Sequence, residues 1–320
     1  MKRLGLAVAA TLLLGSLTAA SAQNYPDRPI KVIVPFGAGT GIDTLARVVT
    51  SELSKDLKQT IVIENKPGAL GTVGALYVAR AQPDGYTLLF TSNTTHSAAP
   101  ALVKNIAYDP VKDFTPICKL GTLPSMLLVN PDVPIHSVKE MVAYAKTNPG
   151  KMTYATGNAT GVVTGAALSH DADIKFLSVP YKATTAAIQD TVAGRIMVVN
   201  TDFSTGIPQS KAGRLRAIAV TSEHRSYLMP DLPSIAEAGY PGFNVASWQG
   251  IFAPPGTPAP IVEKLDRALR KIMLEPANKA RFSTLNFEVQ YDAHAEFAKF
   301  VGTELVKWTG LIKAAGIEAH

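Results

Sequence analysis

One stretch, Pro35-Phe36-Gly37-Ala38-Gly39-Thr40-Gly41-Ile42-Asp43, constrains the fold more than any other part of the sequence. It follows the short apolar run 30–34, which predicts a buried strand. It precedes apolar residues spaced three and four apart between positions 45 and 57, which predict the inner face of a helix. The glycines therefore lie on a strand-to-helix turn, where small residues let a ligand approach the backbone closely.

The predicted helix begins where such a ligand would lie. Its first N–H groups have no partner inside the helix and carry the positive end of its dipole, so the turn is a site for an anion. It is not a dinucleotide fingerprint, because that motif requires glycine where Ile42 stands. Thr40 and Asp43 also fit a capping box, in which Asp43 orders the loop instead of contacting an anion that it would repel. We expect Gly39→Val to crowd this loop and abolish binding.

Residues 1–22 predict a secretory signal peptide. Lys2 and Arg3 precede an apolar run, and Ala20-Ser21-Ala22 fits the cleavage pattern. No other stretch approaches the roughly 18 consecutive apolar residues of a membrane helix. We expect an exported protein, located in the periplasm if the source is a Gram-negative bacterium. The remaining length of about 300 residues suggests two domains.

Charge and composition exclude several classes of protein. The formal charge is +6, and removing Lys2 and Arg3 with the signal peptide leaves +4, carried by scattered basic residues. This argues against nucleic-acid binding and mildly favours small anionic ligands. The six histidines lack metal-ligand spacing, so we expect neither a metal nor a cofactor. The single cysteine, Cys118, is expected to be buried and structural.

Strands and helices alternate along most of the chain. We predict strands at residues 60–65, 86–91, 126–129, 152–156, 176–179, 196–200, 215–220 and 248–252. We predict helices at residues 72–80, 137–146 and 184–192, after the loop 157–161, and in the C-terminal part. The alternation predicts an α/β fold with parallel sheets covered on both faces. Ligands bind such sheets at the carboxyl ends of strands, where the glycine turn and the loops 92–96 and 156–161 lie.

Short blocks along most of the chain carry a family resemblance. They include Tyr25-Pro26-Asp27-Arg28-Pro29-Ile30, Glu64-Asn65-Lys66-Pro67-Gly68, Pro83-Asp84-Gly85-Tyr86-Thr87-Leu88-Leu89, Tyr108-Asp109-Pro110-Val111-Lys112-Asp113-Phe114, Val179-Pro180-Tyr181-Lys182, Pro230-Asp231-Leu232-Pro233-Ser234 and Ala253-Pro254-Pro255-Gly256-Thr257-Pro258. Each block is short, but their order and spacing together are specific. The chain resembles the substrate-binding proteins of tripartite tricarboxylate transporters, the Bug-type periplasmic receptors.

The resemblance implies a two-domain periplasmic-binding-protein fold of type II, the Venus flytrap, with the ligand cleft between the domains. It places one domain at residues 25–123 plus 244–320 and the other at 124–243. It implies a monomer that binds a di- or tricarboxylate, an amino acid or an aromatic acid, without catalysis, and delivers it to inner-membrane transporter subunits. Two other functions stay open: a ligand-dependent co-receptor for a sensor kinase, and an exported α/β enzyme acting on a carboxylated substrate.

The resemblance also implies a ligand site built from four loops. By position these supply Phe36, Gly37, Ala38, Gly39, Thr40, Gly41 and Asp43; Ser92 and Asn93; Thr156, Gly157, Asn158 and Thr160; and Thr201 and Asp202. Asn158 and Thr160 could instead be simple turn residues. Two interpretations also remain open for His96 and for Trp248, namely contact with the ligand or packing.

The chain departs from the family pattern in several places, among them the second loop. Val162-Val163 stands where Ser-His is common, and Met197 and Thr201 replace acidic residues. A less polar pocket would suit a ligand with an apolar body, such as an aromatic acid.

Overall fold

The computed structural model describes residues 25–181, 183–314 and 316–319. The predicted signal peptide at 1–22 lies outside the described residues, as does Lys182. No helix in the described part of the chain is long and apolar enough to cross a membrane.

Strands and helices alternate over most of the chain, as predicted. The strands are β1 (Ile30–Val34), β2 (Ile61–Asn65), β3 (Thr87–Ser92), β4 (Thr115–Leu123), β5 (Ser125–Val129), β6 (Thr153–Thr156), β7 (Leu177–Pro180), β8 (Val198–Asp202), β9 (Arg216–Val220), β10 (Ser247–Ala253) and β11 (Glu288–Asp292). The helices are α1 (Gly41–Leu57), α2 (Thr72–Ala79), α3 (Ala99–Leu102), α4 (Val138–Thr147), α5 (Ala159–Ala172), α6 (Thr184–Val192), α7 (Phe203–Lys211), α8 (Ala259–Leu274), α9 (Pro276–Thr284) and α10 (His294–Ala314). A π-helical turn, Thr94–Ala98, leads into α3.

The described strands form two sheets. The first has the order β11-β4-β10-β3-β1-β2, and the second has the order β7-β6-β8-β5-β9. In the first sheet, β1 pairs parallel with both β2 and β3. In the second, β6 pairs parallel with both β7 and β8. The carboxyl ends of β1 and β3 therefore meet at one edge, and those of β6 and β8 meet at another, as ligand binding in α/β sheets requires.

The prediction of purely parallel sheets is wrong. In the first sheet β10 pairs antiparallel with β3 and β4, and β11 pairs antiparallel with β4. In the second, β5 pairs antiparallel with β8 and β9. Only Pro124 separates β4, in the first sheet, from β5, in the second, so β5 does not enter its sheet through the helical crossover that a parallel connection uses. The chain thus passes from one sheet to the other inside a nearly continuous extended segment.

Several elements were not predicted, among them β11, α7 and α9. Helix α7 contains Gly206 and Pro208, which lower helix propensity, so local pattern alone does not indicate it. It begins at Asp202, whose carboxylate accepts a hydrogen bond from the Thr205 N–H at 3.0 Å. The residues of β11 alternate in polarity, but its first residue, Glu288, points inward and is 2% exposed. Tertiary contacts thus override the local pattern in both elements.

The last helix packs against the cores of both sheets. Phe297 and Val301 of α10 belong to the cluster around Trp248, beside the first sheet. About two and three turns beyond Val301, Trp308 and Ile312 belong to the main cluster of the second sheet. The helical C-terminal part predicted from the sequence is confirmed, and α10 ties the two sheets together. The domain boundaries at 123/124 and 243/244 stay a prediction.

Candidate functional site

Asp43 organises the first glycine loop. It is 1% exposed, and its carboxylate accepts hydrogen bonds from the Gly39 N–H at 2.8 Å, Arg47 Nε at 2.9 Å and Asn65 Nδ2 at 2.9 Å. Asn65 also donates to the Phe36 carbonyl at 3.1 Å, so the strand β2 holds the start of the loop. Asp43 therefore holds the loop together from inside. The outer surface of the loop remains available to a ligand.

The hydrogen bonds to Asp43 also set its ionisation. Burial opposes the charged form, but the combined bonds from Arg47, Asn65 and the Gly39 N–H outweigh burial and hold the pKa of this carboxyl below its usual value. The carboxylate is therefore charged at neutral pH and fully occupied by these partners.

The predicted capping box is wrong in its details. Thr40 is the N-cap of α1, but its side chain makes no capping bond. Its hydroxyl donates instead to the Gly37 carbonyl at 2.8 Å, and Asp43 reaches the Gly39 N–H instead of that of Thr40. These bonds close the loop on itself, so the first N–H groups of α1 receive no side-chain cap from Thr40.

Gly39 has a positive φ of 79°, and a Cβ built on it would have no heavy atom within 4 Å. The expectation that Gly39→Val crowds the loop is therefore wrong, because the constraint is the backbone conformation. Left-handed conformation costs a β-branched residue about 1–2 kcal/mol and favours a rearranged loop. We expect Gly39→Val to weaken ligand binding about tenfold or more, and Gly39→Asn, which tolerates positive φ, to weaken it far less. Equal affinities of the two variants in calorimetric titrations would contradict this mechanism.

The second loop presents the start of α5. Asn158 is the N-cap, and its side-chain oxygen accepts from the Gly161 N–H at 2.7 Å. Its amide nitrogen donates to the Thr184 hydroxyl at 3.3 Å, which links the loop to the start of α6. Gly157 packs so closely that a Cβ would lie 2.5 Å from the backbone of Thr184. The turn-residue and ligand-contact interpretations of Asn158 are therefore compatible, since its capping bond uses only the oxygen.

A third helix start lies beside these two. Asp202 ends β8 and caps α7, accepting from the Thr205 N–H at 3.0 Å and from the Ser204 hydroxyl. Its neighbour Thr201 is fully buried and bonds to the Thr205 hydroxyl. One carboxylate oxygen of Asp202, Oδ1, is thus engaged by its own helix.

These three helix starts border one cleft of about 430 Å³, a size typical of small-molecule sites. Its wall comprises Phe36, Thr40, Gly41, Ile42, Ser92, Thr94, Leu123, Asn158, Asp202, Phe203, Ser204, Ser247, Gln249, Leu285 and Asn286. The cleft thus lies between loops of both sheets. Asp202 is the one ionisable side chain on this wall among the described residues, so no cationic side chain there meets an anion. The groups that can meet an anion there are the backbone N–H groups at the starts of α1, α5 and α7, which carry the positive ends of the helix dipoles.

Six of the residues predicted for the site line the cleft: Phe36, Thr40, Gly41, Ser92, Asn158 and Asp202. Gly37, Ala38, Gly39 and Asp43 shape the first loop without lining the cleft, and Gly157 and Thr160 flank Asn158 in the second. Asn93 lies behind the wall, accepting from the Ser247 hydroxyl at 2.9 Å. Thr156 borders a different cavity beside Tyr154 and Ser178.

Sequence reasoning missed the contribution of β10 and of the turn before β11. Gln249 is 1% exposed, and its amide nitrogen donates to the Ser247 hydroxyl at 3.1 Å. Its side-chain oxygen has no hydrogen-bond partner within the described chain and lies at the cleft wall. A glutamine between Trp248 and Gly250 in an apolar strand was the available signal, because a buried polar group there needs a partner. Leu285 and Asn286 carried no comparable signal.

His96 and Trp248 are packing residues. His96 is fully buried, and its ring stacks on Phe252 with centroids 4.0 Å apart. Burial lowers the pKa of His96 to about 3, so it is neutral at physiological pH. Trp248 is 1% exposed and packs edge-on against Phe297 at 5.5 Å. Neither residue lines the cleft, so the interpretation of ligand contact is wrong for both.

Two α/β sheets with one cleft between their loops define a two-domain ligand-binding protein of the periplasmic-binding-protein type. Residues 45–317 match the family model described as "Tripartite tricarboxylate transporter family receptor". The chain belongs to this family.

Individual relatives agree over nearly the whole chain. A UPF0065 protein of Bordetella bronchiseptica is 34% identical over 315 residues, covering 98% of this chain and 93% of the relative. The solved periplasmic binding protein BugD is 35% identical with a TM-score of 0.73, covering 92% of this chain and 100% of BugD. An R. palustris protein solved with adipate is 30% identical with a TM-score of 0.78, covering 93% and 100% of the two chains. The resemblance to Bug-type receptors is confirmed.

Proposed function

We propose that this protein binds a small carboxylate in the cleft, in the periplasm, and delivers it to the membrane subunits of a tripartite tricarboxylate-type transporter. One observation carries the proposal: the starts of α1, α5 and α7 converge on a cleft whose described wall has no cationic side chain. Backbone N–H groups at helix starts bind anions without an ion pair. The likeness to a protein solved with adipate supports a carboxylate as that anion.

The cleft suits binding without chemistry. Its described wall has serine and threonine hydroxyls but no histidine, lysine or cysteine that would activate one of them. Charge-assisted hydrogen bonds from N–H groups contribute about 1.5–3 kcal/mol each, so three of them support dissociation constants down to the micromolar range. Because the wall combines loops of both sheets, a bound ligand favours the closed arrangement, which membrane subunits can recognise.

Ligand screening tests this proposal. We expect organic acids, and not sugars or amines of similar size, to raise the melting temperature of the purified protein in a concentration-dependent way. Titration calorimetry on the strongest acids gives the affinity, and the amide or methyl ester of the same acid is the control. A sugar or a cation as the sole stabilising ligand class would overturn the proposal. An acid that is chemically changed during incubation would show an enzyme instead.

A further inference from the structure

A second cavity, which we call the apolar cavity, has a wall that begins one residue along the chain from the cleft wall. Its volume is about 470 Å³, and its described wall consists only of aliphatic side chains, among them Leu70, Leu102, Val103, Val162 and Val163. For comparison, an apolar cavity of about 150 Å³ already accommodates benzene. The apolar cavity is therefore large enough for a ring or a branched chain.

On one side, the cleft and the apolar cavity share the start of α5. Asn158, the N-cap, lines the cleft, and the next residue, Ala159, lines the apolar cavity together with Val162. A ligand whose anionic group is held by the N–H groups at this helix start therefore lies close to Ala159, where the apolar wall begins.

The segment before α2 packs against residues next to the cleft wall. A Cβ built on Gly71 would lie 2.7 Å from Thr95 Cγ2 and 3.3 Å from Pro35 Cβ, so Leu70 is anchored directly beside them. Pro35 precedes Phe36 and Thr95 follows Thr94, and both Phe36 and Thr94 line the cleft. Leu70 thus belongs to a segment that packs against the sequence neighbours of two cleft residues.

Leu70 has an unusual backbone conformation and an unusual exposure for a residue of this wall. Its φ is 56°, a left-handed conformation that is rare for a bulky residue, and Ala69 before it has a φ of 43°. The side chain is 42% exposed although it is large and apolar. A strained backbone that presents an apolar side chain to a cavity is typical of ligand clamps.

We propose that the apolar cavity receives the apolar body of the bound acid, so that the ligand is an aromatic or branched carboxylate and not a hydroxy-di- or tricarboxylate. The inference rests on the proposed carboxylate function of the cleft. Burying a ring or a branched chain against this wall strengthens binding about ten- to a hundredfold over the bare carboxylate. Extra hydroxyl and carboxylate groups would lose water there without gaining a partner.

Calorimetric titrations with acetate, phenylacetate and citrate test the proposal. We expect phenylacetate to bind at least tenfold more tightly than acetate, and citrate more weakly than phenylacetate. Leu70→Asn, which tolerates the left-handed backbone, is expected to lower the phenylacetate-to-acetate affinity ratio about tenfold. The matched control Leu274→Asn changes a leucine that is 41% exposed and lines neither cavity, and it should keep the ratio. Val162→Thr, nearly isosteric, should also lower the ratio.

The outcomes separate the two proposals. If acetate and citrate bind but phenylacetate binds no more tightly than acetate, the apolar cavity is not a subsite, and carboxylate binding by the cleft stands. If phenylacetate binds tightly but neither Leu70→Asn nor Val162→Thr lowers the ratio, its ring lies elsewhere and the subsite is overturned. If no carboxylate in a wider panel binds, both proposals fail.

Discussion

Asp43→Ala is expected to lower carboxylate affinity at least tenfold and the free energy of unfolding by about 2–3 kcal/mol. The substitution leaves the Gly39 N–H and the Asn65 amide without their shared acceptor, while Arg47, which is half exposed, turns to water. Without the Asp43 carboxylate, the loop no longer holds the start of α1 toward the cleft. Calorimetric titration and urea unfolding measure the two effects.

Asp56→Ala is the matched control for this result. Asp56 lies on the same helix and pairs with Lys271 at 2.6 Å, but on the surface. A surface ion pair contributes about 0–1 kcal/mol, so this variant should retain both affinity and stability. Equal behaviour of the two alanine variants would show that Asp43 does not organise the loop.

Asp43 also predicts a pH dependence. Because the folded pKa is lower than the unfolded value of about 3.9, the stability contributed by ionised Asp43 is present above that unfolded value and is lost as pH falls through the folded pKa. Asp43→Asn lacks this contribution at every pH. The difference in unfolding free energy between the wild type and Asp43→Asn should therefore shrink on acidification below pH ~4. A difference that stays constant down to the lowest pH would contradict the role of the ionised carboxylate.

Gly157→Ala is expected to lower the free energy of unfolding by about 1–3 kcal/mol, because the added Cβ would lie 2.5 Å from the backbone of Thr184. Neither backbone can yield without moving α6 or the start of α5. The displacement carries Asn158 with it, so we expect ligand affinity to fall about tenfold or more. Thermal unfolding and titration with the same acid measure both effects.

Gly310→Ala serves as the control for the added methyl group. Gly310 is exposed within α10, and a Cβ there would have no neighbour within 4 Å. Alanine in such a helix position should stabilise the protein by about 0.5–1 kcal/mol. A Gly157→Ala variant that melts and binds like the wild type would mean that the contact with Thr184 is not rigid.

Much of the fold could be predicted from local patterns. The helix Thr184–Val192 and the strand before the glycine loop follow from spacing alone, and the helix predicted at 137–146 begins after Ser137, which accepts from the Glu140 N–H at 3.1 Å. The mixed strand directions could not be predicted, because Pro124 between two strands does not reveal that they belong to different sheets.

The candidate site was predictable in position but not in composition. All three helix starts at the cleft follow strands recognised in the sequence, and six predicted residues line its wall. The contribution of Ser247 and Gln249 escaped prediction, because it depends on β10 pairing next to β3. Ser247 bonds to Asn93 across 154 positions of sequence, a separation at which periodicity carries no information.

The sequence by itself determined where β1 and β6 lead into helices and therefore where backbone N–H groups are free for an anion, because these features depend on residues a few positions apart. Only the tertiary structure decided which side chains line the ligand cleft and which make their contacts within the protein. Asp43 and Asp202 are acceptors for their own loops, His96 is buried in an aromatic cluster, and Leu70 lines the apolar cavity. Packing between distant segments fixes these roles, since a side chain's partners depend on what the folded chain brings next to it.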